Sequence, residues 1–80
     1  MPSAKPLYLV IADKIAADIA SGKLKTGDKL PTTAELAAKF KVHPATAYRA
    51  VKELHNRGLV TGYRGRGVYV GTEADLDIDD

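Results

Sequence analysis

An arginine-glycine stretch near the end of the chain, YRGRGVYV at residues 63–70, is the clearest candidate for chemistry. Guanidinium groups recognise phosphate, and glycine lets the backbone bend sharply and approach a ligand closely. The stretch fits a phosphate-gripping loop, a flexible RNA-binding tract or a solvated hairpin. It does not fit a dinucleotide fingerprint, because Gly65, Gly67 and Gly71 have the wrong spacing and lead into a strand-like segment. It also lacks the aromatic residue that the RNP1 signature of RNA-binding sheets places between its glycines.

Catalytic and metal-binding chemistry has little support elsewhere in the sequence. His43 and His55 have no acidic or cysteine partner at metal-ligand spacing, and Ser3 and Ser21 have no histidine and acid arranged to activate them. The chain has no cysteine and, at 80 residues, little interior for a substrate cavity. We therefore predict no enzyme activity, no metal site and no cofactor.

Positive charge is concentrated in the body of the chain. All twelve Lys and Arg lie between Lys5 and Arg66, whereas five of the ten acidic residues lie in residues 73–80. Residues 1–72 therefore carry twelve basic against five acidic residues, an excess that favours a polyanionic partner. We predict one domain over residues 1–72 and an acidic, disordered tail over residues 73–80. The early apolar run LYLVIA is too short to cross a membrane, so a cytoplasmic location is expected.

Three helices are predicted before the arginine-glycine stretch. The first covers residues 6–21, where apolar residues recur at every fourth position, and Gly22 suits its left-handed cap. That apolar stripe consists of Leu7, Ile11, Ile15 and Ile19. The connector over residues 22–31 is rich in Gly and Pro and holds one short extended piece ending at Leu30.

The second and third helices are joined by a short turn. Thr32 and Glu35 have capping-box spacing, which predicts the start of the second helix. Residues 41–43 form the turn, and Pro44 suits the first position of a third helix that runs to about Asn56. The third helix has an apolar face of Ala47, Ala50, Val51 and Leu54 and an opposite face of Ala45, Arg49, Lys52 and Asn56, with Thr46 and Tyr48 on its flanks.

These elements predict an α+β fold, a winged helix-turn-helix with three helices and a small antiparallel sheet that includes a two-stranded wing. After Gly58, two strands are expected over residues 59–63 and 68–70, joined through residues 64–67. A helix of this kind fits the DNA major groove, where base edges differ, and a narrow loop reaches the adjacent backbone or minor groove. We expect the recognition helix at about residues 44–56 and the wing at residues 63–68.

Residues 6–70 resemble the winged-helix domain of the GntR family of bacterial transcription regulators. The resemblance rests on the Pro-Leu-Tyr opening, the Gly-x-Leu-x-x-Gly-Asp-x-Leu-Pro connector, the Thr-x-x-x-Ala-x-x-x-Leu helix and the closing Arg-Gly-Arg-Gly-x-x-Val. The turn at Pro44 is most similar to the YtrA-like subgroup. Two positions depart from the family: Ala34 stands where an arginine is frequent, and Ala45 where a polar residue is frequent. Both departures remove hydrogen-bonding groups.

The resemblance implies operator contacts from the start of the third helix and from the wing. Thr46 is expected to reach phosphate, near the first-turn backbone N–H groups. Two roles stay open for Tyr48, base readout or cover for the edge of the core, and both Tyr48 and Arg49 remain candidates for base contacts. Together with Thr32 and Thr33, the expected DNA-binding residues are His43, Pro44, Ala45, Thr46, Tyr48, Arg49, Lys52, Arg64, Gly65 and Arg66.

The expected function is sequence-specific binding of double-stranded DNA by a transcription regulator of the repressor type. A homodimer is left open, including one that forms only on DNA. The ten residues after Val70 cannot form the ligand-binding and dimerising domain that family members usually carry. The chain is thus either a single-domain regulator or a fragment of a longer one, and effector sensing is inferred in neither case. The alternative is a winged-helix module that binds protein or RNA. We also hypothesise that the acidic tail weakens non-specific DNA binding by competing for the basic body.

Overall fold

A computed structural model of the chain describes residues 4–72. It has three helices, α1 (Leu7–Ser21), α2 (Thr33–Phe40) and α3 (Pro44–Asn56), followed by two antiparallel strands, β1 (Val60–Tyr63) and β2 (Gly67–Val70). The predicted winged helix-turn-helix fold is confirmed, with each strand starting one residue away from its predicted position. The acidic tail, residues 73–80, lies outside the described residues, so its predicted disorder and its hypothesised effect on non-specific DNA binding stay predictions. Within residues 4–72, the longest helix has 15 residues, and none is long and apolar enough to span a bilayer.

The capping box at the start of α2 is confirmed. The Thr32 hydroxyl accepts the Glu35 backbone N–H at 3.1 Å, and the Glu35 carboxylate accepts the Thr32 backbone N–H at 2.8 Å. At its other end α2 stops at Lys41, which adopts the left-handed conformation with φ 56°. This reversal turns the chain towards α3 within three residues.

A second local signal starts α3. Pro44 occupies the first helical position, as predicted, and His43 precedes it as the cap. The His43 ring nitrogen Nδ1 accepts the backbone N–H of Ala45 at 3.1 Å, so the imidazole performs the capping role that Ser or Asp usually has. The end of α3 also agrees with the prediction.

The core lies between α3 and the elements packed around it. Ala47 and Ala50 are completely buried on α3, and their small side chains let α1 and α2 approach the helix closely. Leu54, also fully buried, fills the space nearer to the sheet. The other buried apolar residues are Ile11, Ala12, Ile15, Leu30, Leu36, Ala37, Val60 and Val70.

The apolar stripe predicted for α1 is wrong at Leu7, which is 60% exposed. Each four-residue step along an α-helix overshoots a full turn by about 40°, so Leu7 and Ile19 lie about 120° apart around the helix. Ile11 and Ile15 at the centre are buried, and Ala12 joins them, whereas Ile19 is only partly buried. Leu7 therefore turns away from α3.

The connector between α1 and α2 is tied to the outer side of β2. Leu30 donates its backbone N–H to the Val68 carbonyl at 2.7 Å, and Val70 donates to the Asp28 carbonyl at 2.9 Å. The extended piece predicted to end at Leu30 is thus present, with a bridge between Lys29 and Tyr69. This pairing carries Lys29 to the base of the wing.

Candidate nucleic-acid interface

The wing presents two arginines on a braced turn. Arg66 donates its backbone N–H to the Tyr63 carbonyl at 3.0 Å, and Gly65 between them has φ 77° while Arg64 keeps a negative φ. This is the pattern of a type II turn, which requires glycine or asparagine at its third position. The Tyr69 hydroxyl donates to the Arg66 carbonyl at 3.2 Å. Within residues 4–72, the side chains of Arg64 and Arg66 form no ion pair and are exposed.

Gly67 closes the wing against Lys29. Its φ of 109° is one that residues with a Cβ rarely adopt, and a Cβ built there would lie 2.7 Å from Lys29 Cε. The backbone conformation therefore requires glycine, and the flexible end of the Lys29 side chain occupies the space that a Cβ would fill. As a result, the ammonium-bearing side chain of Lys29 runs directly alongside the wing.

Three adjoining grooves surround the exposed side of α3. The first, which we call the wing groove, has a volume of about 380 Å³ and lies between the wing, the start of α2 and α3. Four residues predicted for DNA binding line it together with Lys29: Thr32, Thr33, Gly65 and Arg66. Residues that are more than thirty positions apart in the chain thus meet in one concave surface.

The second groove, the sheet groove, lies between α3 and the strands and has a volume of about 310 Å³. Tyr48, Lys52 and His55 line its α3 side. Tyr48 is 57% exposed, which disfavours the alternative in which its ring covers the edge of the core. Its ring and hydroxyl are accessible to a partner.

The third groove, the α1 groove, has a volume of about 170 Å³ and lies between α3 and the start of α1. Arg49 lines it, with its guanidinium carbon 4.1 Å from the centroid of the Tyr8 ring. Lys52 lines this groove as well as the sheet groove, and Val51 lines both the sheet groove and the wing groove. The three grooves and the wing tip therefore form one continuous surface, which we call the interface surface.

The first turn of α3 lies outside the three grooves. His43, Pro44 and Ala45 are exposed there, and Thr46 is partly buried. The Ala45 N–H is taken by His43 Nδ1, and the Thr46 N–H donates to the His43 carbonyl at 2.9 Å. Because both N–H groups are engaged, the Thr46 hydroxyl is the group of this turn that suits the expected phosphate contact.

Three carboxylates in the described part of the chain, those of Glu35, Asp13 and Glu53, are engaged in local contacts away from the arginines of the interface surface. Hydrogen bonds from the Thr32 backbone and side chain lower the pKa of Glu35. Lys5, and after it Arg57, lowers the pKa of Asp13. Glu53 borders the α1 groove, but its carboxylate accepts Arg57 Nε at 2.9 Å. Within residues 4–72 these acids form no ion pair with Arg49, Lys52, Arg64 or Arg66, whereas Glu35 also interacts electrostatically with Lys29.

Sequence reasoning missed three residues of the interface surface: Tyr8, Lys29 and His55. Tyr8 and Lys29 join it only through tertiary packing, which places the start of α1 beside α3 and the connector beside the wing. His55 could have been found, because it lies seven residues after Tyr48, two turns along the same side of a helix. Ala34, where the family often has arginine, is exposed on the first turn of α2.

Comparison with known proteins identifies relatives along nearly the whole described chain. Residues 7–70 match the family model described as bacterial regulatory proteins, gntR family. The chain is 39% identical to the uncharacterised transcriptional regulator YhcF of Bacillus subtilis, over 92% of this chain and 61% of that protein. It is 38% identical to the transcriptional repressor YtrA of the same species, over 90% of this chain and 55% of that protein.

A solved structure gives the same correspondence in three dimensions. The DNA-binding domain of AraR, crystallised in complex with the operator ORR3, superposes with a TM-score of 0.78 at 29% identity, covering 89% of this chain and 90% of that domain. The chain spans just over half the length of the two curated relatives named above. With this fold and this match over residues 7–70, the chain belongs to the gntR family of bacterial regulatory proteins.

Proposed function

We propose that this protein binds double-stranded DNA sequence-specifically and regulates transcription as a repressor. In this proposal α3 lies in the major groove, and the wing, residues 63–68, rests on the adjacent backbone or minor groove. The DNA-binding set is the one predicted from sequence, extended by Lys29 and His55. The protein acts by occupying its site and performs no catalysis, and its place of action is the cytoplasm.

The observation that carries the proposal is the continuity of the interface surface. Four cations lie along one connected surface: Arg64 and Arg66 at the wing tip, Lys29 beside them and Lys52 on the outer side of α3. Neither arginine has an ion-pair partner within the described part of the chain. B-DNA presents two phosphate backbones on either side of a major groove about 12 Å wide, into which one helix fits. A helix with cations on both flanks matches that arrangement of charge.

The relatives support the proposal. YtrA carries the name of a transcriptional repressor, and the AraR domain was crystallised with its operator. Regulators of this architecture commonly bind palindromes as two copies. We therefore propose that two copies bind one operator, with dimerisation on the DNA. A sedimentation series without DNA tests this step, because a stable dimer at micromolar concentration would contradict assembly confined to DNA.

Selection of bound sequences from a pool of random duplex DNA tests the function itself. We expect enrichment of a short palindromic motif, whose half-site spacing reports the arrangement of the two copies. A pool that enriches no motif would refute sequence-specific binding. Single-stranded RNA in parallel serves as the control, and equal affinity for RNA and for selected duplex would favour the alternative module.

A further inference from the structure

Tyr8 of α1 and Arg49 of α3 form a cation–π contact that was not among the contacts predicted from the sequence. The guanidinium carbon lies 4.1 Å from the Tyr8 ring centroid, and the ring is itself partly buried against the core. This cation–π contact uses the charge of the guanidinium and the face of the Tyr8 ring, and it consumes none of the five N–H donors, which lie in the plane of the guanidinium. Within residues 4–72, the Arg49 side chain forms no hydrogen bond or ion pair, so those donors remain available.

The acid best placed to neutralise Arg49 is held elsewhere. Glu53 lies one turn further along α3 and borders the same groove. Its carboxylate is paired with Arg57 Nε at 2.9 Å, and Arg57 Nη1 lies 3.0 Å from Asp13 Oδ1. Among residues 4–72, Arg49 and Lys52 line the α1 groove without an ion-pair partner.

The position of this groove relative to the wing determines what it can bind. Lys52 lines both the sheet groove and the α1 groove, so it marks the outermost ridge of α3. The wing lies on the sheet side of that ridge, and Arg49 with Tyr8 lies on the α1 side. A helix in the major groove has one phosphate backbone on each side.

We propose that Tyr8 is a positioning residue for DNA binding. By stacking on Arg49, it holds the guanidinium so that its in-plane donors grip a backbone phosphate across the major groove from the strand that the wing contacts. This inference rests on the proposed function. It makes α1 a part of the interface, in addition to its structural role beneath α3.

The test measures the affinity of four variants for a selected duplex, with their unfolding followed by circular dichroism. Y8L removes the aromatic face and keeps an apolar side chain, whereas Y8F keeps the face and serves as the matched control. R49A removes the contact, and R49K keeps the charge without the planar fork. We expect Y8L to weaken binding about two- to fivefold, the range of an exposed cation–π contact, and Y8F to bind as the wild type does.

Three readouts distinguish a positioning role of Tyr8 from a purely structural one. The double variant Y8L/R49A is expected to bind no worse than R49A, because Tyr8 acts through the arginine. Replacing single phosphates of each strand by uncharged methylphosphonates identifies the phosphates that the protein contacts. One replacement across the major groove from the phosphates contacted by the wing should weaken binding of the wild type. The same replacement should leave the affinity of R49A unchanged. The salt slope of R49A should be smaller than that of the wild type by about 1.

Folded R49A and Y8L proteins that match the wild type in affinity, salt slope and methylphosphonate pattern would overturn the inference. If the wild type still binds the duplex and wing variants still weaken it, the proposed function survives that result. A wild type that binds no duplex would overturn both.

Discussion

Removing the two wing-tip arginines should weaken DNA binding by an amount that depends strongly on salt. Each phosphate contact contributes about 0.9 to the slope of log affinity against log salt on duplex DNA. The interface surface offers five cations, Lys29, Arg49, Lys52, Arg64 and Arg66, which corresponds to a slope of about −4.5 per copy. In R64A/R66A two contacts are lost, and the slope should fall to about −2.7. The ratio of the wild-type affinity to the R64A/R66A affinity should thus decrease about twelvefold between 50 and 200 mM salt.

Fluorescence anisotropy of labelled cognate and random duplexes across that salt range measures both slopes. Because phosphate contacts carry no sequence information, R64A/R66A should weaken both duplexes by a similar factor. The matched control is K14A/K23A, which removes the same charge from a separate groove between α1 and the end of α2. Loss confined to the cognate duplex would show that the wing tip reads bases. An equal change of slope in the control would show that the surface has no special role.

Four further predictions concern the local structure that shapes the interface surface. G67A should lower the free energy of unfolding by about 2 kcal/mol through backbone strain, and adding K29A should recover little of it because the flexible Lys29 side chain can move aside, as denaturant titration would measure. H43A should cost about 1 kcal/mol, whereas H43N, which can still cap α3, should cost less in thermal unfolding. T61V should cost about 1–3 kcal/mol, because the buried Thr61 hydroxyl donates to the Gly71 carbonyl at 2.7 Å. Acidification below about pH 4 should reduce stability, because the folded-state pKa of Glu35 is lowered and its contribution disappears as the carboxylate is protonated.

Controls and contrary results for these four are specific. A G67A/K29A protein as stable as the wild type would mean that the backbone conformation at Gly67 carries no strain. Equal losses in H43A and H43N would remove the capping role of the imidazole. T61S keeps the hydroxyl and should stay well above T61V in stability. E35Q should flatten the acid side of the stability profile, and an unchanged profile would assign the acid sensitivity to other carboxylates.

Local signals were the part of the fold that sequence could predict. The capping box of Thr32 and Glu35, Pro44 at the start of α3 and the left-handed cap at Gly22 each depend on residues within one turn, and each was confirmed. The exposed side of α3 was also predicted, because the angle between side chains around a helix is well defined over the few turns of one short helix. At Leu7 the same reasoning was wrong, because a four-residue spacing drifts around the helix over three steps.

Contacts between distant segments were the part of the site that sequence could not predict. The stack of Arg49 on Tyr8 joins residues 41 positions apart and depends on how α1 crosses α3. The approach of Lys29 to Gly67 depends on the pairing of the connector with β2. The two residues are 38 positions apart in the chain, so no local pattern indicates this pairing. Periodicity identified Arg49 as outward-facing, but only packing decides what an outward side chain rests upon.

Amide chemical-shift mapping with a selected duplex tests the central claim most directly. We expect the largest shifts on titration at the start of α2, on the exposed side of α3 and at residues 64–67 of the wing, with Tyr8 also affected. The groove between α1 and the end of α2, lined by Lys14, Lys23 and Lys39, should remain unchanged. Shifts concentrated in that groove, with the wing and α3 unchanged, would show that DNA does not bind the interface surface.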